Sequence, residues 1–319
     1  MAPKIFLTRT LPETVMALMK ERFEVVQAPR DRPLSAREII DGAQGCDGIV
    51  AMLSDPVTAD ILKNCPTVRI VANYAAGTNN VDLEAARAGN VAVSNTPCVL
   101  TEATADLAFA LLLAVARRIV EGHQLVHSGR WDGWGPTLML GQEIQAKRLG
   151  IIGMGKIGCA MARRAQGFGM DIVYHNRNRV AEGVERALDC HLVSLDELLR
   201  SSDYISIHCP LTPETRNLLD AKAFTRIKHG AYLINTARGE VVDEAAMIAA
   251  LDDGTLTGAG LDVFTGEPDV NPRLLELENV VVAPHVGSAT YDTRTHMGEV
   301  AINNLSAFFE GRDMPNRVV

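Results

Sequence analysis

Gly153, Gly155 and Gly158 stand in the run Gly153-Met154-Gly155-Lys156-Ile157-Gly158. The run directly follows the apolar stretch Leu149-Gly150-Ile151-Ile152 and opens an Ala- and Met-rich segment, 159–168. Glycines at this spacing between a strand and a helix can cradle a dinucleotide. The first makes the tight turn, the second lets backbone approach a pyrophosphate, and the third lets helix and strand pack closely. The helix then offers unpaired N–H groups and the positive end of its dipole to the phosphates. Gly153, Met154, Gly155, Lys156 and Ile157 are the expected pyrophosphate-binding residues. Taken alone the motif often marks only a tight turn; its place between an apolar run and a helical segment favours the cofactor.

A second strand is expected over 171–174, ending in His175-Asn176-Arg177-Asn178-Arg179. A carboxylate about 20 residues beyond the glycines ordinarily accepts hydrogen bonds from the adenosine ribose 2′-OH. Asn176 takes its place here, with Arg177 and Arg179 beside it. A carboxylate would repel a 2′-phosphate, whereas an amide and guanidinium groups can bind one. NADPH is therefore the preferred cofactor and NADH the alternative. The competing reading makes Arg177 and Arg179 a solvated loop face.

Three more polar residues follow apolar runs. Arg238 comes after Tyr232-Leu233-Ile234-Asn235-Thr236-Ala237, Glu267 lies past Leu261-Asp262-Val263-Phe264, and His285 follows Val280-Val281-Val282-Ala283-Pro284. Ligands of open α/β sheets bind at the carboxyl ends of strands, so all three can converge on one crevice. Each taken singly is more readily a packed or paired residue than a catalyst.

The elements that must position these groups alternate. Short apolar runs at 5–7, 23–26, 48–52, 69–72 and 91–93 read as strands separated by helical segments, which implies parallel βαβ units. Ser35-Ala36-Arg37-Glu38 and Ser194-Leu195-Asp196-Glu197 are capping boxes, and Gly89 stops a helix over 83–88. Residues 101–126 read as one long helix with an apolar face of Leu107, Leu111, Leu112 and Val115, followed by a loop over 129–141. Further strands are expected near 148–152, 171–174, 191–193, 204–207, 231–235, 258–262 and 280–283, then a last helix over 290–310. The fold class is α/β with two domains, because 319 residues exceed one usual core.

Composition narrows the partners. Hydrophobic residues make up 47% and charged residues 22%, an ordinary globular balance, and the net charge of −8 argues against a nucleic-acid surface. The six cysteines show no zinc spacing, and no metal is expected. The opening residues lack a signal-peptide apolar core, and the longest apolar stretch, 107–116, is too short to span a bilayer. The expectation is a cytoplasmic protein with no membrane partner.

The chain resembles the D-isomer-specific 2-hydroxyacid dehydrogenases nearly end to end, and within them most the glyoxylate/hydroxypyruvate reductases. The segments that carry the resemblance are Gly153–Gly158, His208-Cys209-Pro210-Leu211-Thr212, Asn235-Thr236-Ala237-Arg238-Gly239, Gly260–Phe264 with Glu267-Pro268, Pro284-His285-Val286-Gly287, and Asn73-Tyr74-Ala75-Ala76-Gly77. Their order and spacing together are far more specific than any one alone.

The resemblance implies two doubly wound parallel-sheet domains. One is a Rossmann dinucleotide-binding domain over 100–287. The other is a smaller, discontinuous, flavodoxin-like substrate domain over 1–99 plus 288–319. It implies reduction of a small 2-oxo acid to the 2-hydroxy acid, with His285 as proton donor, Glu267 orienting the imidazole, and Arg238 clamping the substrate carboxylate. By the same resemblance the Ala76 and Gly77 N–H groups hold that carboxylate, and Leu53 and Ser54 lie near the substrate. Thr104, Cys209, Pro210, Thr236, Ala237 and Gly287 line the cofactor, and Asp262 meets the nicotinamide carboxamide. A homodimer is implied, and Leu138 falls where related reductases extend a tryptophan into the partner's pocket. His123, His127, His175, His191, His208, His229 and His296 are left structural.

Two other readings remain at this point. One keeps the fold and changes the substrate or the cofactor: a broad D-2-hydroxyacid or 2-ketogluconate reductase, or an NADH-linked enzyme. The other makes the chain a dinucleotide-sensing interaction protein.

Overall fold

The structure, a computed structural model, describes residues 2–319. It divides into two compact units: the chain through Leu100 together with Ser288–Val319, and Thr101–Gly287. The second unit is thus an insertion in the first.

The outer unit is built on five parallel strands: β1 (Lys4–Leu7), β2 (Glu24–Gln27), β3 (Gly48–Met52), β4 (Ile70–Tyr74) and β5 (Ala92–Ser94). Their order is β2-β1-β3-β4-β5, a doubly wound arrangement of the flavodoxin type. Successive side chains point to opposite faces, so Ile5 and Leu7 enter one core and Phe6 the other. Both faces are covered, which is why these strands read as continuous apolar runs. The terminal helix Tyr291–Phe309 packs on the first of these cores, with Met297, Ala301, Ile302 and Leu305 buried. Gly298 admits it closely, since a Cβ there would meet Val15 Cγ1 at 2.3 Å.

The inserted unit carries seven parallel strands: β6 (Arg148–Ile152), β7 (Asp171–His175), β8 (Cys190–Leu192), β9 (Tyr204–Ile207), β10 (Ala231–Asn235), β11 (Leu256–Leu261) and β12 (Val280–Val282). The order β8-β7-β6-β9-β10-β11-β12 is the Rossmann order with one strand added. The chain reverses its direction of winding between β6 and β9, and such a switch point is where ligands of open α/β sheets bind. Leu149 and Ile151 fill one core and Ile205 and Ile207 the other.

One expected element differs. The single helix over 101–126 is two, Thr101–Ala116 and Ile119–His127. The Ala116 carbonyl, which a continuing helix would use internally, accepts the Gln142 N–H at 2.9 Å. Arg118 then takes a left-handed conformation (φ 54°) and its Nε donates to Glu121 at 2.8 Å. Periodicity continues through the break because both pieces are apolar on one side. Among the described residues no helix is long and apolar enough to cross a membrane.

Candidate functional site

At the switch point the three glycines do three different things. Gly153 has φ +97°, and a Cβ on it would lie 2.5 Å from the Cys209 N. It is therefore fixed both by conformation and by the β9 backbone passing beside it. Gly158 packs against the turn, since its Cβ would meet the Gly153 O at 2.3 Å. Gly155 faces open space, with nothing within 4 Å of its Cβ position. It caps the 12-residue helix Lys156–Gly167 without a side-chain hydrogen bond. A phosphate could approach that helix end without competing with a cap. The observed geometry thus fits the pyrophosphate of a dinucleotide.

Asn176 and Arg177 directly follow β7, the strand beside β6, with Asn176 partly exposed and Arg177 exposed. Arg179 is otherwise engaged. Its Nε lies 3.0 Å from both oxygens of Glu185, and its Nη2 lies 2.7 Å from Oε2. Tyr174 donates to the same carboxylate at 2.6 Å. Glu185 is buried, so Arg179 neutralises an acid that burial would otherwise disfavour. Spacing reveals the Arg179 guanidinium but not the acid it is paired with here, and the side chain stays 67% exposed.

Cys209 is buried after β9 and Pro210 is exposed. His208 is held by Ser206 Oγ at 2.8 Å from Nε2, and burial pushes its pKa down to about 4, so it stays neutral. Thr236, after β10, is buried with no partner for its hydroxyl among the described residues. Such an orphan is a candidate ligand contact.

The turn that presents Arg238 is closed by a residue that the sequence did not single out. Asn235 accepts the Ala237 N–H at 3.0 Å and donates to the Arg238 O at 2.9 Å. An Asn closing an apolar run just before a turn is the available signal. Gly239 then packs on the next strand's exit, its Cβ position 2.1 Å from the Phe264 C. This contact brings Arg238 beside the Phe264–Glu267 turn. Burial lowers the Arg238 pKa, opposed by the charges of Glu267 and Glu240.

Glu267 and His285 form the centre of the group. Glu267 Oε2 lies 2.6 Å from His285 Nδ1, and Oε1 accepts the Phe264 N–H at 2.9 Å. Burial opposes ionisation of Glu267. The hydrogen bond and charge of His285, the Phe264 N–H and the Arg238 charge outweigh it and hold the carboxyl below its ordinary value. His285 itself sits at φ 54°. The next two residues anchor it: the Val286 and Gly287 N–H groups donate to the two oxygens of Asp262 at 2.7 and 2.8 Å. Burial raises the Asp262 pKa against the pull of those N–H groups and of His285. Thr104 closes the cluster, its Oγ1 3.5 Å from the Gly287 Cβ position. Asp262 thus has both oxygens engaged in shaping the turn that carries His285. Among the described residues no group of three or more acids, histidines or cysteines could hold a metal.

In the outer unit, Leu53 and Ser54 are exposed just past β3, and Ala76 and Gly77 are half-buried just past β4. Asn73 donates to the Gly77 O at 2.8 Å and Asn95 to the Ala76 O at 2.7 Å. A concavity of about 740 Å³ lies elsewhere in the inserted unit, lined by residues within 118–139 together with Glu278, and contains none of the expected catalytic, cofactor or substrate residues.

Comparison with known proteins follows the same division. The D-isomer specific 2-hydroxyacid dehydrogenase NAD-binding domain family matches residues 109–287. A glyoxylate reductase of Korarchaeum cryptofilum is 46% identical over 320 residues, covering all of this chain and 96% of the relative. A protein of known structure from Thermus thermophilus is 44% identical with a TM-score of 0.92, over 99% of this chain and all of that one. An NADPH-dependent glyoxylate/hydroxypyruvate reductase from Sinorhizobium meliloti, solved with NADP and malonate, is 34% identical with a TM-score of 0.89. The match covers all of this chain and 97% of that one.

Proposed function

Because the chain belongs to the D-isomer specific 2-hydroxyacid dehydrogenase family, we propose that it reduces glyoxylate or hydroxypyruvate to the 2-hydroxy acid, with NADPH preferred over NADH. The observation that carries the reading is the 2.6 Å Glu267–His285 pair beside Arg238 on the strand-end surface of a dinucleotide fold. The inserted unit binds the dinucleotide and carries Arg238, Glu267 and His285.

The bound dinucleotide supplies the hydride. His285 supplies the proton that the keto oxygen needs as negative charge develops on it. Glu267 holds the hydrogen on Nδ1 and so presents Nε2 to the substrate. Arg238 clamps the substrate carboxylate in the bidentate manner that lysine cannot reproduce. Ala76 and Gly77 of the outer unit offer N–H groups suited to a carboxylate. Asn176 and Arg177 receive the 2′-phosphate, while Thr104, Cys209, Pro210, Thr236, Ala237 and Gly287 line the dinucleotide. Asp262 holds the His285 turn.

A homodimer is part of the proposal. Ile119, Val126, Trp131, Trp134 and Leu140 are all more than half exposed within one short stretch, with Leu138 at 42%. Clustered exposed apolar residues of this kind mark an interaction surface. None of the cysteines forms a disulfide among the described residues, which suits a reducing cytoplasm.

The deciding experiment is a specificity matrix of glyoxylate, hydroxypyruvate, pyruvate and 2-ketogluconate, each with NADPH and NADH. The reading expects the highest kcat/KM for glyoxylate or hydroxypyruvate with NADPH. No turnover of any 2-oxo acid overturns it.

A further inference from the structure

Three consecutive peptide units of the outer unit, 75–76, 76–77 and 77–78, have their carbonyl oxygens held by the protein. The Thr96 N–H donates to the Ala75 O at 2.9 Å, Asn95 Nδ2 to the Ala76 O at 2.7 Å, and Asn73 Nδ2 to the Gly77 O at 2.8 Å. Asn73 is 1% exposed and is itself locked. Its Oδ1 accepts from Asn80 Nδ2 at 2.9 Å, and that same nitrogen reaches the Met52 O at 3.0 Å and the Asp55 O at 3.2 Å. The segments after β3 and β4 are thereby tied into one network.

In a planar trans peptide the carbonyl and the following N–H point in opposite directions. With the three carbonyls pinned, the N–H groups of Ala76, Gly77 and Thr78 are turned away from their holders. None of the three donates to a protein acceptor among the described residues. All three residues are half-buried. Successive outward N–H groups form a concavity for anions.

We infer that Asn73 and Asn95 are positioning residues that turn out three backbone N–H groups, those of Ala76, Gly77 and Thr78, as the cradle for the substrate carboxylate. This rests on the carboxylate assignment above and extends it by a third donor and by the two side chains that orient it. Asparagine suits the task because its amide donates to a carbonyl without adding charge. An aspartate there would repel both the carbonyl and the incoming carboxylate.

The test uses the full-length protein saturated with NADPH and the non-reducible carboxylate oxamate. Amide resonances of Ala76, Gly77 and Thr78 are expected to shift together along one oxamate binding curve. Asn95→Ala is expected to raise the glyoxylate KM and the oxamate Kd by the same factor, about tenfold, as for a weakened hydrogen bond to a charged group. Its kcat, NADPH affinity and Tm should stay near wild type, a split that general loosening of the fold would not give. Asn73→Asp, nearly isosteric but unable to donate, is expected to raise the same two constants with a lower Tm, because it buries a charge. Asn95 is half-buried, so its variant remains informative if Asn73→Asp does not fold. A silent Thr78 amide beside shifting Ala76 and Gly77 overturns the third donor. An unchanged KM in Asn95→Ala, or a fall in kcat alone, overturns the positioning role. If all three amides stay silent while oxamate binds and glyoxylate turns over, the carboxylate assignment fails and the reaction assignment stands.

Discussion

Glu267 grips His285 with one carboxylate oxygen, at 2.6 Å from Nδ1, while its other oxygen accepts the N–H of Phe264 in its own turn. The carboxylate is therefore immobilised by backbone before it immobilises the imidazole. An ionised carboxylate only accepts, so Nδ1 carries the hydrogen and Nε2 is the nitrogen left for chemistry.

Replacing His285 by Asn is expected to lower kcat for glyoxylate reduction by roughly 10²–10⁴-fold, the usual worth of a positioned general acid. Dinucleotide affinity should stay close to wild type. Steady-state rates and a fluorescence titration with NADPH check the two halves, and a collapse of NADPH binding would remove His285 from the proton-donor role.

Glu267→Gln separates charge from shape. The folded-state pKa of Glu267 lies below its ordinary value, so the stability its ionised form contributes is complete above the unfolded value, about 4.3. It is lost as pH falls through the lower folded value. The wild type should therefore show an acid-side loss of Tm from this group only once pH falls below about 4.3 and on through the lower folded value, and Glu267→Gln should lack that component. Its kcat is expected to fall on the order of 10²-fold. Melting curves and rates across acid to neutral pH test both statements.

Arg177 and Arg179 make a paired test of cofactor choice. Arg177→Ala should raise the KM for NADPH about tenfold, one charge-assisted hydrogen bond, and leave the KM for NADH nearly unchanged. Arg179→Ala should leave the ratio of the two constants alone and lower Tm, because it strips the buried Glu185 of its guanidinium. Equal effects of Arg177→Ala on both cofactors would sink the phosphate assignment.

The two glycines differ in what an added methyl meets. Gly153→Ala should be destabilising as well as inactive, because φ +97° and the Cys209 backbone both oppose it. Gly155→Ala should fold with a near wild-type Tm, its Cβ position being open, yet bind NADPH more weakly. Differential scanning calorimetry alongside cofactor titration distinguishes them.

Leu140→Asp places a charge on a side chain that is 66% exposed in the apolar segment 119–140. If two copies cover this surface, the variant should shift toward monomer in analytical ultracentrifugation while the wild type sediments as a dimer. A monomeric wild type would refute the dimer.

Much of the architecture could be read directly from residue types. Parallel strands buried on both faces leave apolar runs, so β6, β9 and β10 stood out with their ends nearly in place. The Gly153–Gly158 turn announced itself because backbone geometry there tolerates few other residues. What escaped detection depends on partners distant in sequence. The break after Ala116 is made by Gln142, 26 residues on, and no local pattern marks it. The Arg179–Glu185 pair was not legible, because spacing gives no hint of Glu185. Asn73, Asn95 and Asn235 act by holding carbonyl groups, work that any polar residue type conceals until the backbone is drawn.

Because Thr101–Gly287 interrupts the outer unit, synthesis on the ribosome imposes an order. The inserted unit emerges whole and can complete both its cores while the outer unit still lacks the helix Tyr291–Phe309. Until that helix is made, the part of the core that it shields, including Tyr74 of β4 and Val15 of the helix Glu13–Arg22, stays uncovered. The nascent chain therefore carries a half-finished apolar core for nearly two hundred residues of translation.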